Sequence, residues 1–224
     1  MRSNEYITEK YLRNLPTKFC SGCGNGIILN CFARAVDNLG LDRKEIVCVS
    51  GIGCSSWIPS PYFRSDTMHV THGRAIPFAT GIKIFNPKLK VVVFTGDGDG
   101  AGIGGNHLIH AARRDIDLMV ILVNNRVYGM TGGQVAPTTP KGAKTKTYPK
   151  GNPEPAFDLV KLVSSAGARF CERTNTFYYA KLIKILEKAL EFKGFSFVEV
   201  LSQCPTYYGS RNNLKLKDLF QSLR

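Results

Sequence analysis

A chain of 224 residues with 43% hydrophobic and 21% charged residues can bury one sizeable core and is too apolar to be disordered or collagen-like. Thirty Lys and Arg against 17 Asp and Glu leave a net charge of +13, which calls for an anionic partner: nucleic acid, a phosphorylated cofactor, an acidic protein or an acidic substrate. No stretch approaches the ~18 consecutive apolar residues of a membrane helix, and Met1 to Glu5 lacks the apolar run and cleavage site of a secretory leader, so a cytoplasmic chain without a membrane partner is expected.

Met1 to Lys18 reads as an extended arm, followed by Cys20-Ser21-Gly22-Cys23 and a helical pattern from Gly26 to Leu39. Ile46 to Ser50 is an apolar strand, and Gly51-Ile52-Gly53-Cys54-Ser55 follows it directly. A helix is predicted from Ala75 to Phe85, a strand from Val91 to Thr95, a helix from Asn106 to Arg114 and a strand from Leu118 to Asn124. Tyr128 to Pro155 has no steady apolar period, is punctuated by Gly132-Gly133 and five prolines, and reads as a long functional loop. Helices from Ala156 to Ser165 and Phe177 to Phe192, a strand from Phe195 to Leu201 and a second arm, Arg211 to Arg224, complete a single domain spanning residues 1–224. Continuous Val/Ile/Leu runs suit strands buried on both faces, and their alternation with helices predicts an α/β fold with a mostly parallel sheet. Ligands bind such sheets at the carboxyl ends of the strands, which directs attention to the loops after Ser50, Thr95 and Asn124.

The loop after Thr95, Gly96-Asp97-Gly98-Asp99-Gly100-Ala101-Gly102, combines glycines that admit a ligand close to the backbone with carboxylates that can face a cation. As a dinucleotide fingerprint, Gly100-x-Gly102-x-x-Gly105 with Asp117 as ribose acid is in poor register, because Asp117 precedes the next strand. Alternatively, 25 residues separate Gly98 from Asn124-Asn125, enough for a helix and a strand that return the second loop to the same sheet edge. This pair of motifs resembles that of thiamine diphosphate enzymes. The resemblance implies the three-layer, parallel-sheet thiamine diphosphate-binding fold, with Asp97, the Asn125 side chain and the Val127 carbonyl as Mg²⁺ ligands. It also implies that Gly98, Asp99, Gly129 and Met130 line the diphosphate.

Seven cysteines in a cytosolic-looking chain argue against a disulfide framework. Cys20, Cys23, Cys54 and Cys204 form one Cys-x-x-Cys plus two dispersed residues, open to three readings: a zinc site, a redox dithiol or a four-cysteine iron–sulfur cluster. Cys31, Cys48 and Cys171 default to structure.

Taken with the thiamine motif, these cysteines make the chain resemble the β subunit of 2-oxoacid:ferredoxin oxidoreductases from Cys20 to Cys204. Supporting stretches include Thr71-His72-Gly73-Arg74, Val127-Tyr128-Gly129-Met130-Thr131-Gly132-Gly133-Gln134 and Cys204-Pro205-Thr206. The resemblance implies one [4Fe-4S] cluster on Cys20, Cys23, Cys54 and Cys204. It implies cofactor contacts from Ile52, Gly53, Cys54, Ser55 and His72, the last with a catalytic role; the residues alone favour a structural cap before Gly73 for His72. Further implications are oxidative decarboxylation of a 2-oxoacid to an acyl-CoA, with electrons leaving singly through the cluster to ferredoxin, and an α subunit supplying the pyrimidine-binding half, with γ and δ chains completing the complex. Met130 to Gln134 looks most like the 2-oxoglutarate branch, with pyruvate and branched-chain 2-oxoacids as alternatives. Ser21 stands where many members carry proline, which removes a rigid φ without removing a ligand. Competing readings are a nicotinamide dehydrogenase, a non-redox thiamine decarboxylase that leaves the four cysteines idle, and a zinc-containing nucleic-acid-binding module. Against the last, the basic residues are scattered along the chain and no nucleic-acid recognition motif occurs, so no nucleic-acid partner is expected.

Overall fold

The computed structural model describes residues 2–224; Met1, the first residue of the expected arm, lies outside the described residues. Helices α1 (Asn4–Tyr11) and α2 (Asn25–Asn38) precede strands β1 (Ile46–Ser50) and β2 (Asp66–His69), helix α3 (Ala75–Phe85) and strand β3 (Lys90–Gly96). Helix α4 (Gly105–Arg113) and strand β4 (Met119–Asn124) lead to a small ribbon, β5 (Val127–Tyr128) with β6 (Gln134–Val135). The chain finishes with α5 (Leu159–Ser165), β7 (Phe170–Asn175), α6 (Tyr179–Glu191), β8 (Ser196–Leu201) and α7 (Leu216–Gln221).

Six strands form one wholly parallel sheet in the order β2-β1-β3-β4-β8-β7. On one face Phe32 of α2 and Leu186 of α6 pack with Phe94 and Val198, and on the other Ala79 of α3, Leu108 of α4 and Leu159 of α5 pack with Val93 and Phe197. This is the expected three-layer α/β arrangement. Every residue of β4 is buried, because a central strand has a neighbour on each edge and helices on both faces.

The four expected strands are all present, and β2 and β7 are additional. Both are edge strands with polar sequences, Asp66-Thr67-Met68-His69 and Phe170-Cys171-Glu172-Arg173-Thr174-Asn175, only partly covered and so without an apolar run. The expected arms are a correction: each end carries a docked helix. In α1, Ser3 Oγ accepts from the Tyr6 N–H at 3.2 Å, and Tyr11 is buried, donating its hydroxyl to Asp37 at 3.0 Å. In α7, Leu219 is buried against Tyr208. Helices of eight and six residues are too short to display an apolar period. The loop from Tyr128 to Pro155 is ordered by its own hydrogen bonds, among them Asn152 Nδ2 to the Thr139 carbonyl at 2.9 Å. No helix among the described residues is long and apolar enough to cross a membrane.

One buried carboxylate ties β8 to β4 and β7. Glu199 is 1% exposed and accepts from Asn124 Nδ2 at 2.7 Å and from Arg173 Nε at 2.6 Å, and Arg173 Nη2 continues to Asp158 at 2.6 Å. Glu199→Leu leaves the Asn124 amide without its acceptor, whereas Arg173, with a side chain 40% exposed, can turn to water. The expected cost is about 2–3 kcal/mol, read by scanning calorimetry as a thermal midpoint lower by roughly 5–10 °C; an unchanged midpoint would show that Glu199 contributes no stability.

Candidate functional site

Because the strands run parallel, the segments after β1, β2, β3 and β4 emerge at one edge of the sheet. Between them lies a solvent-open cleft. Every residue expected to touch the cofactor or the divalent cation lines it: Ile52 to Ser55, His72, Asp97 to Asp99, Asn125, Val127, Gly129 and Met130.

Asp97 and Asp99 open a π-helical segment, Asp97–Ile103, and have different environments. Asp97 is 2% exposed, and its partners are all neutral: the Thr138 hydroxyl on Oδ2 and the Gly98 N–H, at 3.0 Å, on Oδ1. Burial pushes its carboxyl up to about 7, against the pull of those donors. Asp99 is fully engaged by the protein. Its Oδ1 accepts from the Ile52 N–H at 3.1 Å and the Gly73 N–H at 2.7 Å and meets His72 Nδ1 at 2.6 Å, while Oδ2 accepts from the Thr95 hydroxyl at 2.6 Å. The Asp99 side chain therefore binds the loops together while still lining the cleft. It fixes the proton of His72 on Nδ1, leaving Nε2 as the ring nitrogen free for whatever occupies the cleft. A turn-capping His72 and a ligand-facing His72 are thus compatible.

The two asparagines also separate. Asn124 is buried on Glu199, whereas Asn125 lines the cleft, its Oδ1 accepting from the Val127 N–H at 3.1 Å in an Asx turn. Tyr128 then folds back over the glycine loop and donates to the Gly98 carbonyl at 2.9 Å. A Cβ on Gly98 would collide with the Tyr128 ring and one on Gly102 with its hydroxyl, so both glycines make room for this side chain. Thr138 and Tyr128 are the site residues that spacing alone did not disclose, since each reaches its partner from the long loop.

The four expected cysteines lie beside the cleft, near enough to act on one another electrostatically. The Cys23 N–H donates to the Cys20 carbonyl at 3.0 Å, and the Gly24 N–H to the Gln203 carbonyl at 3.4 Å, which joins the Cys-x-x-Cys turn to the approach to Cys204. Cys54 Sγ lies 3.3 Å from the position a Cβ on Gly129 would take. Burial, with repulsion from Cys204, Cys54 and Cys20, pushes the Cys23 thiol up to about 12, and burial with repulsion from Cys204 and Cys20 pushes Cys54 up to about 11. The four side chains thus share one electrostatic neighbourhood. Cys48 is fully buried and Cys31 nearly so, as expected of structural thiols. Asp117, the ribose acid of the dinucleotide reading, pairs with Lys83 at 2.7 Å ahead of β4, away from this edge.

Comparison with known proteins agrees with this geometry. Residues 46–200 match the family of the thiamine pyrophosphate enzyme, C-terminal TPP binding domain. The chain is 54% identical over 216 residues to the 2-oxoglutarate synthase subunit KorB of Methanothermobacter thermautotrophicus, an alignment covering 96% of this chain and 74% of that protein. It is 44% identical over 204 residues to the 2-oxoacid:ferredoxin oxidoreductase subunit beta of Saccharolobus solfataricus, covering 90% and 65%. Among solved structures it is similar to the 2-oxoglutarate:ferredoxin oxidoreductase from Magnetococcus marinus with 2-oxoglutarate, coenzyme A and succinyl-CoA bound, with a TM-score of 0.87 and 38% identity over 89% of this chain and 68% of that one. With its thiamine loops gathered at one sheet edge and four cysteines beside them, the chain belongs to the thiamine diphosphate enzymes and, within them, to the β subunits of the 2-oxoacid:ferredoxin oxidoreductases.

Proposed function

We propose that this chain is the β subunit of a 2-oxoglutarate:ferredoxin oxidoreductase, converting 2-oxoglutarate and coenzyme A to succinyl-CoA and CO₂ in the cytoplasm. It works with an α subunit that brings the pyrimidine-binding half of the site, and with γ and δ subunits. The observation that carries the reading is the approach of Cys54 Sγ to Gly129, 3.3 Å from where a Cβ there would lie, which sets the cysteine group against the cofactor cleft. Substrate choice rests on relatives at 52–54% identity that are named 2-oxoglutarate synthase subunits.

The residues fit the groups this reading requires. A buried carboxylate with only neutral partners is an incomplete electrostatic arrangement, and a divalent cation completes it. Asp97, Asn125 and the Val127 carbonyl would hold Mg²⁺, with Gly98, Asp99, Gly129 and Met130 along the diphosphate. Among the described residues no three His, Cys, Asp or Glu side chains group closely enough to hold one ion. Four cysteines gathered beside the cleft supply the four thiolates that a [4Fe-4S] cluster takes, one for each iron. Thiamine diphosphate supplies the electron sink for decarboxylation, and the cluster the capacity to pass electrons singly. The protein's own contribution is positional. Asp99 holds His72 with Nε2 free to exchange a proton with the bound ligand, Tyr128 keeps the Asp97–Ile103 turn closed, and Thr138 holds Asp97 in place.

Two measurements test this. Anaerobically purified complex should contain about four iron and four acid-labile sulfide per β chain, lost in Cys54→Ala, whereas zinc without sulfide would end the electron-transfer reading. For the cation, the folded chain keeps on Asp97 a proton that the unfolded chain releases near pH 3.8, so without Mg²⁺ stability should fall as pH rises from ~4 to ~7. Mg²⁺-dependent thiamine diphosphate binding requires that proton to leave, so calorimetry should find affinity falling about tenfold per pH unit below ~7, and Asp97→Asn should abolish the pH dependence together with most of the affinity.

A further inference from the structure

The positive charge that is scattered in sequence is gathered by the fold beside the four cysteines. Two segments bring it there. The first, from Lys141 to Lys150, holds Lys141, Lys144, Lys146 and Lys150 and no acidic residue; the second, from Arg211 to Lys217, holds Arg211, Lys215 and Lys217. All seven side chains are exposed, and none pairs with a carboxylate among the described residues.

Hydrogen bonds staple the segments together. The Lys144 N–H donates to Asn212 Oδ1 at 2.8 Å, and Asn212 Nδ2 returns a bond to the Lys144 carbonyl at 3.0 Å. Arg211 Nη2 donates to the Gly132 carbonyl at 3.2 Å, and Lys146 Nζ lies 3.6 Å from where a Cβ on Gly132 would be. Both segments rest against the segments that carry the cysteines. Ala143 packs in one small apolar cluster with Cys204, Tyr208 and Leu219, and Leu216 lies over Gly22, inside the Cys-x-x-Cys turn, 3.0 Å from its Cβ position. Cys20 is exposed, so the cysteine group opens to solvent within this cationic surround.

We infer that the face formed by Lys141–Lys150 and Arg211–Lys217 docks an acidic iron–sulfur electron carrier and is the port through which electrons leave the cysteine centre; this rests on the function proposed above. Each 2-oxoacid oxidised yields two electrons, so two carriers each accept one in turn, returning the centre to its starting state. Seven unpaired cations steer an acidic partner over distances near the Debye length, and an interface built from long, exposed side chains favours fast arrival and fast release. Phosphate-rich nucleic acid is the other anion such a face attracts, but the apolar packing onto Cys204 and Gly22 ties the charge to the redox centre.

The test uses the complete enzyme complex and an oxidised ferredoxin of known sequence. Lys141→Glu/Lys150→Glu/Lys217→Glu is compared with Lys181→Glu/Lys184→Glu/Lys188→Glu, an equal change of charge on the exposed face of α6. At low ionic strength the first triple variant should weaken ferredoxin binding, measured directly by surface plasmon resonance, roughly tenfold or more and flatten its salt dependence, whereas the α6 variant should stay within about twofold of wild type. Carbodiimide cross-links between ferredoxin carboxylates and the wild-type complex should map to Lys141, Lys150 or Lys217. Reduction of methyl viologen, which needs no docking face, should be unchanged in both variants. Equal ferredoxin affinity in wild type and the first variant, cross-links confined to other surfaces, or an oligonucleotide bound at this face in place of ferredoxin would overturn the inference. Loss of viologen reduction in the wild-type complex would instead refute the proposed function itself, so the two failures are distinguishable.

Discussion

The carboxylate of Asp99 is the constraint on which the site depends. Its two oxygens take four protein donors from three loops: Ile52 after β1, His72 and Gly73 after β2, and Thr95 at the end of β3. A buried carboxylate is costly unless its lone pairs are filled, and here filling them requires the three loops to meet at one place. A Cβ on Gly51 would collide with this same carboxylate, which explains why the turn after β1 carries glycine there. Asp97, two residues earlier, has no such complement of donors. The same short loop thus supplies one acid that organises the protein and one that faces the cleft with only neutral partners.

A division of labour of this kind recurs along the edge. Asn124 and Asn125 differ by one position: Asn124, the last residue of β4, joins the Glu199 network, and Asn125, the first residue past the strand, turns into the cleft. The strand end is held by one asparagine and the ligand loop begins with the other. Tyr128 does similar double duty, closing on Gly98 while lining the cleft.

The sheet and the site were largely legible in the residues because both depend on strong local signals. Val91 to Thr95 and Leu118 to Asn124 are buried on both faces and therefore continuously apolar, and the loops after them carry motifs whose separation matches one helix and one strand. What stayed hidden lacked such signals. Edge strands β2 and β7 are half covered and polar, and α1 and α7 are too short for a period. The Thr138 contact with Asp97 spans 41 residues and is set by the tertiary path of the long loop, as is the gathering of Lys144 against Asn212, 68 residues apart. The cysteines could be chosen from spacing and resemblance, but their gathering beside the cleft is a property of the fold.

The order of those cysteines in the chain carries a consequence for how the protein matures. Cys20 and Cys23 lie before the first strand and Cys204 follows the last, with Leu216 laid across the Cys-x-x-Cys turn. No partial domain holds all four thiols: they meet only once β8, the neighbour of the central strand β4, has taken its place in the sheet. Any inorganic centre assembled on them bridges the two ends of the polypeptide, closing a loop of most of the chain, and loops that long are costly to close before the intervening structure has formed. The four thiols therefore come together only in a chain folded from end to end, and the charged segments beside them take their places in the same structure.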